Sequence, residues 1–364
     1  MKESSVNIHR EVQPEWFRQS RLGIFIHWGL YSVPAFAPTG KPFQQKDNPY
    51  AEWYHNSMNI KGSPTNLHHR EQYGNMPYSA FAEDFRQSAR DADPEAWARL
   101  FKDAGASYAV LVTKHHDGFM MYDSAVMHPR LGSYGLDFDF CGELAKACRK
   151  EGLRFGTYYS SLLDWTFSDK TIRSTADLYL SPNIERDYLD YCRDHWLELI
   201  DRYEPDILWS DIGYPPDGRM TELFSYYYSK VPQGLVNDRW RQMPAFMRTK
   251  FRKLWDINWF YYTALNIRNL FAPNYYDYRT QEYSKGNNPG GKCFEYCRGI
   301  DHSFGYNKNS KPENFMTAEE VRALMAKLTA NNGRLLLNVG PDMHGNIPEP
   351  QARVLRDLQP VPLT

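Results

Sequence analysis

Long apolar runs and an apolar leader are both missing from this sequence. No run of about 18 apolar residues occurs in its 364 residues, so no membrane-spanning helix is predicted. The first residues, MKESSVNIHREVQPEW, lack the apolar segment of a signal peptide. We therefore expect a cytoplasmic protein with no membrane partner.

An excess of charge and a cysteine framework are missing too. Lysine and arginine number 43 against 44 aspartates and glutamates, a net charge of −1, so nucleic acid is not indicated as a partner. The five cysteines are odd in number in a long chain, which argues against a disulfide framework and fits a reducing compartment. No second cysteine pair completes a zinc-finger spacing.

Aromatic residues, by contrast, are abundant. Tyrosine, phenylalanine and tryptophan number 26, 20 and 10, or 15% of the chain. Aromatic faces pack against the C–H faces of sugars, and tyrosine and tryptophan add a polar group. An aromatic-rich core would explain the same composition, so both interpretations stay open at this point.

Alternating strand and helix signals predict an α/β fold, a (β/α)₈-type barrel forming a single catalytic domain over residues 1–364. An open doubly wound sheet shares this pattern, but no Gly-x-Gly-x-x-Gly turn follows the first strand, which disfavours a dinucleotide-binding fold. The predicted strands are 23–28, 108–114, 153–160, 206–211, 235–239 and 334–340. The predicted helices follow Asp93, span 141–151 and 184–203, and follow Thr317. Residues 241–276 fit no barrel element and are interpreted as an insertion or lid, or as a contact in a homo-oligomer.

Functional side chains are expected where barrel strands end, because active sites in this fold lie at the carboxyl ends of the strands. Asp211 follows the apolar strand and precedes a glycine-containing turn, although a helix-capping aspartate would look the same. Two carboxylates about 5–5.5 Å apart would allow glycoside hydrolysis with retention. Glu52, Glu282 and Glu295 all have aromatic neighbours, and spacing alone does not choose the second carboxylate among them.

A metal-dependent barrel hydrolase is the alternative from the same residues. His115 and His116 are adjacent, and His27 and Asp211 also end strands. Neighbouring side chains on an extended segment point to opposite faces, which limits joint ligation by the two histidines. No His-x-His occurs on the first strand, so the prediction is no metal and no cofactor.

A series of short motifs then resembles one family, the α-L-fucosidases of glycoside hydrolase family 29. The motifs cover about residues 14–350 in the family's order, and although each is weak alone, their order is specific. They include RLGIFIHWG (21–29), YAEWY (50–54), FAEDF (81–85), KHHDGF (114–119), YYS (158–160), LWSD (208–211), VNDRW (236–240), YRTQEY (278–283), FE (294–295), SFGY (303–306) and LLLNVGP (335–341).

The resemblance implies a retaining exo-glycosidase that removes terminal α-L-fucose from an oligosaccharide or glycoside. Asp211 is similar to the family's nucleophile. The residues that match its sugar-binding positions are His27, Glu52, Trp53, His115, His116, Tyr158 and Arg239. An apolar wall for the C6 methyl group of fucose is implied at Phe25, Tyr50, Trp209 and Phe304.

The acid/base position varies within the family. One branch implies Glu282 and another implies Glu295, and the text RTQEY followed by SFGYN favours Glu282. Family members usually carry a C-terminal β-sandwich domain, which we expect to be absent here. A galactosidase-like glycosidase and a catalytically inactive fucose-binding homologue are the remaining alternatives.

Overall fold

The computed structural model describes residues 12–40, 44–168, 170–174, 177–178, 185–216, 219–242, 275–284, 286–288 and 291–358. Within them, eight parallel strands form one sheet in the order β5-β4-β3-β2-β1-β8-β7-β6. The strands are β1 (Leu22–Ile26), β2 (Tyr108–Lys114), β3 (Arg154–Ser160), β4 (Ile207–Asp211), β5 (Leu235–Val236), β6 (Arg279–Glu282), β7 (Phe294–Gly299) and β8 (Gly333–Val339).

The sheet curls until its two ends meet. Asp277 lies two residues before β6; its N–H donates to the carbonyl of Val236 in β5 at 2.9 Å, and its carboxylate accepts the Val236 N–H at 2.7 Å. These two hydrogen bonds join β5 to the segment that leads into β6, and so connect the two edges of the sheet. The predicted (β/α)₈-type fold is therefore confirmed.

Helices cover the outside of the barrel. In the part of the chain that the structure describes, they are α1 (Glu15–Gln19), α2 (Tyr54–Met58), α3 (Pro64–Tyr73), α4 (Phe81–Ser88), α5 (Pro94–Asp103), α6 (Phe140–Lys150), α7 (Arg186–Tyr203), α8 (Met220–Lys230), α9 (Ala318–Thr329) and α10 (Glu349–Asp357). The predicted caps are confirmed: Asp93 accepts the Ala96 N–H at 2.9 Å, and Thr317 forms a capping box with Glu320. None of these helices is long and apolar enough to cross a membrane.

Apolar runs explain which strands the sequence predicted. Every residue of β1, β2, β4 and β8 is buried, as expected for parallel strands with helices on one face and the barrel core on the other. The two strands that sequence reasoning missed, β6 and β7, read RTQE and FEYCRG and carry no apolar run. β5 is shorter than predicted and ends at Val236. Residues 243–274, most of the predicted insertion or lid, lie outside the described residues.

Candidate active site

Asp211 is the last residue of β4, and its carboxylate is held from several directions. One oxygen, Oδ1, accepts the Ile212 N–H at 2.9 Å and Nη1 of Arg239 at 2.8 Å. The other, Oδ2, accepts the Tyr158 hydroxyl at 3.0 Å and lies 4.0 Å from Nε2 of His116. The side chain is 12% exposed, so the carboxylate is fixed by its neighbours yet reachable from the cavity.

Arg239 joins Asp211 to a second carboxylate. While Nη1 binds Asp211, Nη2 donates to Oε2 of Glu282 at 2.9 Å, and Nε donates to the Thr280 hydroxyl at 3.0 Å. Glu282 is the last residue of β6 and its side chain is 31% exposed. One guanidinium therefore holds two carboxylates from separate strands at the same end of the barrel.

The charge balance favours an ionised Asp211. Burial alone would raise the pKa of Asp211, but the Arg239 cation, His116 and the hydrogen bonds from Arg239 and Tyr158 outweigh it and leave that pKa below its ordinary value. A carboxylate that stays charged inside a cleft suits nucleophilic attack.

A small cavity adjoins these groups. It has a volume of about 250 Å³, and Asp211, Arg239 and Thr280 are on its wall. The other lining residues are Leu178, Ile212, Gly213, Asp238 and Arg241. The space opens at the barrel's carboxyl end, where the fold places active sites.

Three histidines stand at the ends of β1 and β2, and each is uncharged near neutral pH. Burial lowers the pKa of His27 to about 3 and that of His116 to about 4, and the pKa of His115 lies well below its usual value for the same reason. The Nδ1 of His27 lies 2.6 Å from Oδ1 of Asn338, whose amide donates to the Phe304 carbonyl. His27 therefore donates from Nδ1, and its Nε2 is left as an acceptor.

The ring nitrogens of the other two histidines, His116 and His115, differ in their hydrogen bonds. The Nδ1 of His116 pairs with the Ser160 hydroxyl at 2.6 Å, and that hydroxyl donates to the Leu163 carbonyl. The Nδ1 of His115 is buried without a hydrogen-bond partner among the described residues. Because the Ser160 hydroxyl donates to Leu163, His116 donates from Nδ1 and its Nε2 is left as an acceptor, which suits a ligand rich in hydroxyl groups.

Glu52 is a buried acid next to this cluster. One of its oxygens accepts the Gly305 N–H at 2.8 Å. Burial raises the pKa of Glu52 to about 8, and Glu282 also contributes to the rise. Glu52 is therefore protonated at neutral pH and has a proton to donate. The neighbouring Trp53 packs edge-on against His116, with ring centroids 5.2 Å apart.

The predicted apolar residues form one aromatic wall. Phe25 packs against Trp209, Tyr158 and Phe304 at centroid distances of 5.0, 5.7 and 6.4 Å. Tyr50 meets Phe304 edge-on at 5.7 Å. The ring of Trp209 also lies 4.7 Å from the Arg239 guanidinium. The structure thus brings together thirteen of the fourteen predicted site residues.

Glu295 is the one that lies elsewhere. It is the second residue of β7, so it sits near the opposite end of the barrel, and it is 0% exposed. Its carboxylate accepts the Tyr108 hydroxyl at 2.6 Å and the Trp209 indole N–H at 2.8 Å. These contacts place Glu295 in the barrel core beneath Trp209, away from the cavity beside Asp211.

Sequence reasoning did not find several residues that support the site. Thr280 and Ser160 hold Arg239 and His116 through the hydrogen bonds above. Lys114 and Asp164 form an ion pair at 2.8 Å with both side chains 0% exposed. A lysine at the end of a largely apolar strand is a signal that could have identified this pair, because a buried charge requires a partner.

A parallel barrel with two carboxylates held by one arginine at its carboxyl end, one of them on the wall of a cavity, is typical of the glycoside hydrolases. In the part of the chain that is described, no group of three or more His, Cys, Asp or Glu side chains is arranged to hold a metal ion.

Comparison with known proteins narrows the class to a family. The family model described as alpha-L-fucosidase matches residues 1–359. This chain belongs to the α-L-fucosidase family. It is 29% identical over 346 residues to an α-L-fucosidase of Dictyostelium discoideum and 30% identical over 350 residues to a tissue α-L-fucosidase of Rattus norvegicus. Each alignment covers 92% of this chain but only 66% and 64% of the relatives' own lengths.

Solved structures give the same family. The crystal structure of Thermotoga maritima α-fucosidase aligns with a TM-score of 0.81 and 41% identity over 95% of this chain and 73% of that one. The same enzyme solved in complex with fucose aligns with a TM-score of 0.80 and 40% identity, again over 95% and 73%. The predicted family resemblance is confirmed.

Proposed function

We propose that this chain hydrolyses terminal α-L-fucosides with retention of anomeric configuration. The observation that carries the proposal is the shared guanidinium: Arg239 binds both Asp211 and Glu282 at the barrel end where active sites lie. The choice of fucose as the sugar rests on membership of the family. The protein solved with fucose is a relative, and the proposal extends that ligand to this chain.

In the proposed first step, Asp211 attacks the anomeric carbon and the bond from that carbon to the leaving oxygen breaks. Glu282 donates a proton to the leaving oxygen. In the second step Glu282 takes a proton from water, the water oxygen attacks the same carbon, and Asp211 is released. Glu282 is preferred to Glu295 because its side chain is 31% exposed, whereas Glu295 is enclosed by Tyr108 and Trp209.

The neutral histidines, protonated Glu52 and Arg239 are proposed to orient the sugar hydroxyls, because a mixture of acceptors and donors suits a polyol. The wall of Phe25, Trp209 and Phe304 suits a methyl group at C6. A buried 6-hydroxyl would lose its hydrogen bonds with water there and gain none. We expect an α-L-fucoside to exceed the 6-hydroxylated α-L-galactoside by about 10²-fold or more in kcat/KM.

Hydrolysis of 4-nitrophenyl α-L-fucoside by the purified chain is the direct test. Turnover that persists after dialysis against EDTA is the expected result. Loss of turnover on chelation and its return with a divalent cation would instead support the metal-dependent alternative. Fucose binding without turnover would support an inactive homologue.

A further inference from the structure

The residue after Asp211 has a backbone conformation that its side chain disfavours. Ile212 has φ of +61°, in the left-handed region. A β-branched residue is a rare occupant of this region, because its side chain crowds the backbone there. Such outliers persist only where the surrounding structure enforces them, and they concentrate at functional sites.

The Ile212 side chain is anchored on one side. It packs on a small cluster formed by Leu163, Trp165 and Ile172, separate from the main core, together with Trp53. Trp53 and Trp165 also contact His116 at ring-centroid distances of 5.2 and 5.4 Å. The cluster thus ties Ile212 to the loops that surround the candidate site.

The chain beyond Ile212 is fixed as well. Gly213 has φ of +118°, and a Cβ added there would lie 2.5 Å from the Arg241 carbonyl oxygen, so the close approach requires glycine. The next N–H, of Tyr214, donates to the same carbonyl at 3.0 Å. Ile212 is therefore held between an anchored side chain and a tight turn.

The left-handed angle has a direct effect on Asp211. The angle φ sets how the peptide plane before Ile212 is turned relative to its side chain. With that side chain in the cluster, the observed angle directs the Ile212 N–H at Oδ1 of Asp211, 2.9 Å away. With a negative φ and the side chain still in the cluster, this N–H would point away from Asp211.

We propose that Ile212 is a positioning residue for the nucleophile: its anchored side chain enforces a left-handed backbone, which aims its N–H at Asp211 and fixes the carboxylate for attack. This inference rests on the proposed function. A second left-handed residue directly follows the other carboxylate: Tyr283, after Glu282, has φ of +44°, and its hydroxyl accepts the Gly299 N–H at 3.0 Å.

The test compares Ile212→Gly, Ile212→Val and a matched control, Glu204→Gly. Glycine removes the anchor and frees φ, whereas valine keeps a β-branched anchor. Glu204 is another left-handed residue, with φ of +42°, but it lies between α7 and the start of β4, at the end of the barrel opposite the cavity. We expect Ile212→Gly to lower kcat on 4-nitrophenyl α-L-fucoside about tenfold, or about 1.4 kcal/mol, with KM little changed. Valine and the control should stay within about threefold of the parent.

The pH profile separates positioning from a loss of folded enzyme. In Ile212→Gly the backbone N–H should no longer be aimed at Asp211, and loss of this hydrogen bond to the charged carboxylate should move the acidic limb of kcat/KM to higher pH in that variant alone. An unchanged kcat and an unchanged limb in that variant would overturn the inference while leaving the proposed function intact.

A measurement that does not depend on turnover tests the inference even if the parent enzyme is inactive. Carbon-13 NMR of labelled aspartate, assigned with Asp211→Asn, gives the pKa of the Asp211 carboxyl in the parent and in Ile212→Gly. A higher pKa in the variant is expected, and equal values would overturn the inference. Absence of turnover in the parent would count against the proposed function only.

Discussion

Glu282 and Glu295 lie on neighbouring strands of one barrel, yet the two ends of that barrel give them opposite surroundings. Glu282 ends β6, is partly exposed and shares Arg239 with Asp211. Glu295 lies near the start of β7, with no exposure and two neutral donors, Tyr108 and Trp209. We therefore propose that glutamate serves the reaction at one end and internal packing at the other, and that its position along the strand decides which.

Removal of the proposed nucleophile should give the largest effect at the reactive end. Asp211→Ala should lower turnover of 4-nitrophenyl α-L-fucoside by about 10⁴-fold or more, because no carboxylate remains to attack the anomeric carbon. Added azide should restore product, since the small anion fits the vacated space and attacks the same carbon while the nitrophenolate leaves. Mass spectrometry should find fucosyl azide. An active Asp211→Ala variant without azide would refute the assignment.

Truncation of Glu282 should depend on the leaving group. Glu282→Ala should lose about 10²–10⁴-fold on a fucosyl disaccharide, whose leaving alkoxide needs a proton, and much less on the nitrophenyl fucoside. Kinetics on both substrates measure the contrast. Glu295→Ala is the matched control, and the same leaving-group dependence in that variant would move the acid to Glu295.

At the packing end the effect should fall on stability. Glu295→Ala leaves the Tyr108 hydroxyl and the Trp209 N–H without their partner in the barrel core, at about 1–3 kcal/mol each. Urea unfolding should show this loss, whereas Glu282→Ala should unfold near the parent midpoint. Equal stability of the two variants would contradict the claim that Glu295 stabilises the barrel core and Glu282 does not.

A further prediction concerns the pH dependence of stability at Glu52. Its folded pKa of about 8 lies above the ordinary unfolded value of about 4.3, so the folded state holds a proton that the unfolded state has lost between those values. This contribution is full below about pH 4.3 and declines by up to about 1.4 kcal/mol per pH unit until about pH 8. Glu52→Gln should flatten that part of the curve, measured by urea unfolding at several pH values. A curve parallel to that of the parent would show that Glu52 is ionised when folded.

Much of this arrangement follows from local sequence. Apolar runs marked the strands from β1 to β4 and β8 because parallel strands are buried on both faces. The positions of His27, His115, Tyr158 and Asp211 then followed, since each ends such a strand or lies near its end. Once the strand boundaries are known, the positions of these side chains follow.

Strand patterns alone did not separate the two glutamates, although the family resemblance favoured Glu282. β6 reads RTQE and β7 reads FEYCRG, so neither has an apolar pattern that reveals where the strand begins and ends. Without those limits, Glu282 at the end of one strand and Glu295 near the start of the next look alike. The register that pairs Thr280 with Glu295 and Glu282 with Cys297 separates them.

Covalent labelling tests the central claim most directly. A 2-deoxy-2-fluoro-L-fucosyl fluoride should lose fluoride to the nucleophile and form a long-lived ester, because the 2-fluoro group slows its hydrolysis. Peptic digestion and mass spectrometry should find the fluorosugar on Asp211, with Glu282 and Glu295 unmodified. A label on another carboxylate, or turnover of fucosides with no label anywhere, would contradict the assignment of Asp211 as the nucleophile.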